Sequence, residues 1–228
     1  MPGVRGAAIT RALMTLAKHT KDNAWWYPYT DVIPTWFDMY LGLEATADTI
    51  HEYAPELVPG LLQTEACARA VFALPGGPVS QAEIDRRIDV RMRRRDLLAR
   101  ETPAPLRVQY FLNEAVLRRP VGGPLVMAQQ LARIAQTSEL PNVDIRLIPF
   151  SAGAHSGAGT GLFAHVRFED GREPDVIYHE QLTGALYLES PQDIERYKVV
   201  LADLGNKALG GQETRALIAD LAKEYHDA

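Results

Sequence analysis

The stretch GLFAHVRFEDGREPDVIYHEQLTGALYLES, residues 161–190, decides the fold. Three runs within it, 161–169, 175–181 and 185–190, alternate apolar and polar side chains at the period of a strand, and glycine-containing links separate them. That pattern is a meander, so the chain carries an antiparallel sheet. Two runs on the N-terminal side, LRVQYFL (106–112) and VDIRLIPF (143–150), also read as strands and bring the expected total to about five. Helical periodicity fills the gaps. NEAVLRR (113–119) is a short helix, and VMAQQLARIAQTSEL (126–140) places Val126, Leu131 and Ile134 on one face. Two helices close the chain: PQDIERYKVVLADLGNKAL (191–209), with proline in its first turn, and GQETRALIADLAKEY (211–225).

Before residue 103 the chain reads as helical. Ile9, Leu13 and Leu16 give residues 6–20 an apolar stripe. Thr35 is expected to cap a helix running through Phe37, Tyr40, Leu41 and Glu44 and on through 45–52. Pro55, Pro59 and Gly60 then force an extended path. Thr64 caps a helix reaching about Phe72, and LPGGPVS (74–80) is a loop. Ser80 and Glu83 stand in capping-box spacing ahead of a long helix over 81–101, with Ile84, Ile88 and Met92 inside. The fold class is therefore α+β: a helical region, then a mainly antiparallel sheet packed with helices, ending in two helices. Residues 1–24 form a residual helix, 25–102 a helical subregion and 103–228 an α+β subregion, with 25–228 as one continuous domain.

Composition bounds the function. The 228 residues carry 24 Lys+Arg against 29 Asp+Glu, a net charge of −5, and 46% hydrophobic content, which excludes disorder as the main state. No run approaches the ~18 apolar residues of a membrane span. The single cysteine, Cys67, cannot close an internal disulfide, which suits a cytoplasmic setting. An acidic balance gives no global pull toward nucleic acid, so DNA contact would need a local patch. Arg91, Arg93, Arg94 and Arg95 form the strongest such run. The acid-first pairs Glu83–Arg87, Asp89–Arg93 and Asp96–Arg100 favour a solvated helix face over phosphate contact.

The glycine-rich loop FSAGAHSGAGTGLF (150–163) lacks a Gly-Lys-Ser/Thr ending and leads into a strand, so phosphate-loop and dinucleotide readings fail. It reads as a turned hairpin connection, with a ligand- or partner-facing role for His155 and Ser156 as the alternative. His179-Glu180 is not a zinc motif, because Thr183 stands where the second histidine is needed; neither metal nor cofactor is expected. His165 and His179 are expected to face each other across neighbouring strands as a solvent-exposed pair. The aromatics Trp25, Trp26, Trp36 and Tyr40 read as core packing first and as a stacking surface for a ligand or partner second. No catalytic set emerges; were the chain an enzyme, Glu114, His155, Tyr178, His179 and Glu180 are the first candidates.

WWYPYTDVIPTWFDMYLGLE, EYAPELVPGLLQTEACARA, NEAVLRRPVGGPLVMAQQL, LPNVDIRLIPFSAGAHSG and DVIYHEQLTGALYLES, taken in order, resemble the effector domain of actinobacterial XRE-family, antitoxin-like helix-turn-helix regulators. The resemblance covers roughly residues 24–220. It implies a non-enzymatic cytoplasmic regulator that binds a small partner protein from a neighbouring gene. Such regulators usually carry a DNA-binding domain ahead of the Trp pair. Only 24 residues precede Trp25, enough for one helix, so DNA binding is not expected without an added domain. Asn113, Cys67 and His179 depart from the family pattern. The rival expectation is a stand-alone copy recruited in specialised metabolism as a small-molecule binder or a cyclase- or isomerase-type enzyme. A homodimerisation module is the third.

Overall fold

The structure is a computed structural model that describes residues 24–76, 80–169 and 173–227. The helix expected over 6–20 lies outside the described residues. Among them are seven α-helices and six strands: α1 (Thr35–Thr46), β1 (Thr49–Ala54), α2 (Glu65–Phe72), α3 (Gln81–Arg93), β2 (Arg107–Asn113), α4 (Glu114–Arg118), α5 (Pro124–Thr137), β3 (Val143–Ile148), β4 (Phe163–Arg167), β5 (Val176–Gln181), β6 (Gly184–Leu188), α6 (Pro191–Lys207) and α7 (Gly211–His226).

One sheet holds all six strands in the order β3-β2-β1-β4-β5-β6. The pairings β1–β2 and β2–β3 are parallel, whereas β1–β4, β4–β5 and β5–β6 are antiparallel. The α+β class and the β4-β5-β6 meander stand as the sequence suggests.

The sixth strand is a correction. Residues 45–52 do not continue the first helix: α1 stops at Thr46, Ala47 turns extended (ψ 146°), and β1 begins at Thr49. Strand β1 pairs on both edges, and its two ends are buried, so it lacks the alternation that marks a half-exposed strand. Tertiary pairing overrides the local helical pattern there.

Local signals otherwise act as expected at helix starts. Thr64 Oγ1 accepts from the Cys67 N–H at 3.2 Å, and Ser80 Oγ accepts from the Glu83 N–H at 3.2 Å. Ser190 Oγ accepts from Asp193 N–H at 3.1 Å, with Pro191 in the first turn. Thr35 differs: Pro34 holds the cap position and Thr35 is the first helical residue. The long helix over 81–101 also shortens, since α3 ends at Arg93 and tightens into a 3-10 segment from Arg94 to Leu98. The strand expected over 143–150 ends at Ile148, before a 3-10 turn at Phe150–Ala152.

The sheet has two covered faces. On one, Ile50, Val108, Tyr110, Leu112, Ile145 and Val166 pack with Tyr40 and Leu43 of α1, Leu131 and Ile134 of α5, and Ile218 and Leu221 of α7. On the other, Tyr53, Phe111, Phe163 and Ile177 meet Ile194, Leu201 and Leu204 of α6. A smaller cluster of Trp26, Val32, Ile33, Leu41 and Val90 joins the N-terminal segment to α1 and α3.

Candidate functional site

Strand alternation puts Ile50, Glu52 and Ala54 of β1 on the face beneath α1. Register then lines up a row across the sheet: Tyr110, Glu52, Ala164, Tyr178 and Tyr187. Ala164 is the short member, and its methyl leaves open the space between Glu52 and Tyr178. A cleft of about 430 Å³ stands over this gap, walled by Phe37 and Tyr40 of α1, Arg91 of α3, Arg94 just beyond it, and the segment from Pro55 to Gln63. It shares Phe37, Arg91, Arg94 and Glu180 with an adjoining hollow of about 180 Å³ that also touches Trp36 and Val90.

The charges of the cleft fall into a closed part and an open part. Arg94 and Glu44 are buried and joined twice, Nε to Oε2 at 2.7 Å and Nη2 to Oε1 at 2.6 Å. Burial alone would weaken the Arg94 charge, but Glu44 outweighs it and holds the guanidinium firmly protonated. The same guanidinium lies 5.2 Å from the Phe37 ring centre and 5.7 Å from that of Tyr40. It also abuts Gly60, where a Cβ would come within 2.8 Å of Arg94 Nη1.

Arg91 donates to Gln63 Oε1 at 2.9 Å and sits 4.6 Å from the Phe72 ring centre. Burial lowers its pKa to about 10. Glu180 accepts a hydrogen bond from the Tyr178 hydroxyl at 3.1 Å. Glu52 differs from all of these, since its carboxyl has no hydrogen bond or ion pair among the described residues. Burial, reinforced by Glu44 and Glu180 and opposed by Arg94 and Arg91, pushes its pKa up to about 8, so it carries a proton at neutral pH. Burial also raises Tyr40 and Tyr178 of the lining, and Tyr110 beside Glu52 in the row, well above the ordinary phenol range, which keeps their hydroxyls protonated.

Six residues singled out from the sequence meet at this cleft or its neighbour: Trp36, Tyr40, Arg91, Arg94, Tyr178 and Glu180. The others go elsewhere. Trp26 is buried with Nε1 donating to Asp38 at 2.8 Å, and Trp25 packs edge-on against it. Glu114 accepts from Arg118 at 2.5 Å and from the Phe150 N–H at 2.8 Å. Burial would raise its carboxyl, but those two donors prevail and lower it. His155 packs edge-on against Tyr53 on the opposite face, 5.7 Å between centres, and Ser156 donates through N and Oγ to Asp203 at 2.7 Å. With Lys207 donating to the Ala154 carbonyl at 2.5 Å, the glycine-rich loop is fastened down on α6. Gly157 permits that closeness, because a Cβ there would come within 3.0 Å of the Tyr53 ring.

Two expectations are corrected. His165 and His179 do not face each other; the register sets His165 opposite Ile177 and His179 opposite Phe163. His165 is 2% exposed, bonds Asp175 through Nε2 at 2.9 Å and stacks on His51, while His179 bonds the Thr160 carbonyl. Nor is the arginine run a uniformly solvated face, although Arg93 is exposed. Arg94 is buried, Arg95 donates to the Gln63 carbonyl, and Arg93 lies over Tyr29. Of the three acid-first pairs, Glu83–Arg87 closes at 2.7 Å, whereas Arg100 turns to the carbonyls of Ala45 and Ala47 at 2.5 and 2.7 Å. Cys67 is buried and its thiol is pushed up to about 11, which keeps it inert.

Glu44, Glu52 and Gln63 are the site residues that sequence reasoning missed. Glu52 lay inside the segment read as helix. The available signal was TIHEYA (49–54), a β-branched and aromatic run with one acid on the Ile50 side. Among the described residues, no three His, Cys, Asp or Glu side chains gather as a metal site, and no helix is long and apolar enough to cross a membrane.

Residues 37–220 match the family described as a domain of unknown function (DUF5753). The comparisons with curated proteins and with solved structures found no match.

Proposed function

The chain belongs to the DUF5753 family of domains of unknown function, and we propose that it is the effector domain of an XRE-type, antitoxin-like cytoplasmic regulator, with a small organic ligand bound over Glu52 as its input. The observation that carries this reading is the unpaired Glu52 carboxyl at the floor of a 430 Å³ cleft. Desolvating such a group without a partner is costly, and a ligand that pairs with it recovers the loss. The surrounding groups are fixed in one protonation state, Arg94 by Glu44 and the tyrosines by burial, which suits recognition. The sequence resemblance supports the regulatory setting and a small partner protein. The edge strand β6, with Leu186 47% exposed and Leu182 fully exposed at the hairpin tip, offers a partner a strand to extend.

A second reading has its own observation. A carboxyl titrating at about 8 is matched to proton transfer near neutrality, as an isomerase or cyclase requires. One experiment separates the two: screen a metabolite library by thermal shift against the wild type and Ala164→Leu, whose longer side chain fills the gap beside Glu52. The regulator reading expects ligands that stabilise the wild type and lose their effect on the variant, with no turnover. Turnover abolished by Glu52→Gln supports the enzyme instead. Stabilisation equal in both proteins overturns the cleft as the binding place.

A further inference from the structure

The charge count of the cleft states what its ligand must bring. Glu44 and Arg94 cancel through their double hydrogen bond. Glu56, at the rim, is engaged by Arg119. What remains facing the space is Glu52 and Glu180 against Arg91, an excess of one negative charge once Glu52 is ionised. Both carboxyls line the same cleft, and the Glu180 charge raises the cost of ionising Glu52. Beside them stands an aromatic wall. Phe37 and Tyr40 stack with centres 5.6 Å apart, and Tyr40 and Tyr178 lie 4.2 Å apart. A carboxyl pair with one charge to spare, set against aromatic rings, is the chemistry that holds an organic cation.

Resting on the ligand-binding reading above, we propose that the cleft takes a small organic monocation, its ammonium against Glu52 and Glu180 and its apolar body on Phe37, Tyr40 and Tyr178. Without the ligand, Glu52 removes the surplus charge by keeping its proton. An arriving ammonium takes over that task, and the Glu52 proton passes to solvent, so charge balances before and after. The groups that face Glu52 are Tyr40 and Arg91 from the helices, Arg94 and Glu44 in their fixed pair, Tyr110 and Tyr178 along the row, and Glu180 from β5. None of the tyrosines titrates below the range of Glu52, because burial raises all three. The proton released is therefore that of Glu52.

The test uses three probes of one shape: tyramine, the neutral alcohol tyrosol, and the anion 3-(4-hydroxyphenyl)propanoate. Binding to the full chain is followed by calorimetry and by NMR shifts of the cleft residues. Tyramine should bind about tenfold or more tightly than tyrosol. Its affinity should rise about tenfold or more between roughly pH 6.5 and roughly pH 8.5, with a proton released. Both effects should vanish in Glu52→Gln, which keeps the shape of the protonated acid, and weaken in Glu180→Gln. If tyrosol or the anion binds as well as tyramine and shifts the same residues, the cation preference is overturned while the ligand-binding reading survives. If none of the three shifts a cleft residue, both are overturned.

Discussion

Glu52 and Tyr178 stand two strands apart on the same face of the sheet, with only the methyl of Ala164 in register between them. That spacing turns a packed sheet face into a floor. A larger residue at 164 would close the row into ordinary core, and a partner for Glu52 would make it an ordinary buried ion pair. Neither occurs, so the opening and the unpaired acid coincide.

Glu52 makes stability depend on pH in an unusual direction. Its folded value of about 8 lies above the ordinary 4.5, so below 4.5 both states hold the proton and nothing is lost. As pH rises from there toward 8, the unfolded chain releases the proton and the folded chain retains it, so stability falls by at most about 1.4 kcal/mol per pH unit. Glu52→Gln should remove this slope and be the more stable protein at alkaline pH. Urea unfolding at a series of pH values checks it, and parallel curves would count against the assignment.

The histidine row acts in the opposite sense. Asp144, Gln109, His51 and His165 run in register across β3, β2, β1 and β4, linked by Gln109 Nε2 to Asp144 at 2.7 Å and by Gln109 Oε1 to His51 Nδ1 at 2.9 Å. Burial lowers both histidines below the ordinary 6.5, despite the hydrogen bonds their rings donate to Gln109 Oε1 and the Asp175 carboxylate. As pH falls through 6.5 the unfolded chain takes up protons that the folded chain refuses, and stability drops. Measured in the Glu52→Gln background, the acid-side loss should shrink in His51→Gln. An unchanged acid limb would show that the row is not its source.

The Glu44–Arg94 pair is the structural support of the cleft wall. Arg94→Met leaves Glu44 buried and uncompensated, at a cost of about 3–5 kcal/mol. The double variant Glu44→Leu with Arg94→Met should recover most of that in equilibrium unfolding. If the single and double variants are equally destabilised, the loss comes from packing and not from the stranded charge.

Gly60 gives a finer probe of the same wall. A methyl at this position would press on Arg94 Nη1, and the two hydrogen bonds from Nε and Nη2 to Glu44 keep that guanidinium from swinging away. Gly60→Ala should cost about 1–2 kcal/mol, in the range of mild overpacking. The cost should disappear in the Arg94→Met background, as a double-mutant cycle would show.

Much of this fold was open to reading from the chain alone, for physical reasons. Strands β4, β5 and β6 form a meander separated by turn residues, and Thr64, Ser80 and Ser190 announce their helices through short side-chain oxygens. Strand β1 was not legible. It lies centrally, paired on both edges and buried at both ends, so neither period reveals it. The site inherited that blindness. Trp36, Tyr40, Tyr178, Glu180, Arg91 and Arg94 stand out by type, but what unites them is the packing of α1 and α3 over the β1-β4-β5 face, which a one-dimensional pattern does not contain. The arginine run misleads for a related reason: the acid that engages Arg94 is Glu44, fifty positions away in the chain and not one turn along the helix.

The most direct measurement is the ionisation of Glu52 itself, followed through its side-chain carboxyl carbon in uniformly labelled protein, with Glu52→Gln identifying the signal. A midpoint of about 8 that moves downward when tyramine is added is the expected result. A midpoint near 4.5, indifferent to tyramine, would mean that Glu52 is an ordinary solvated acid and that the cleft has no charge to offer a ligand.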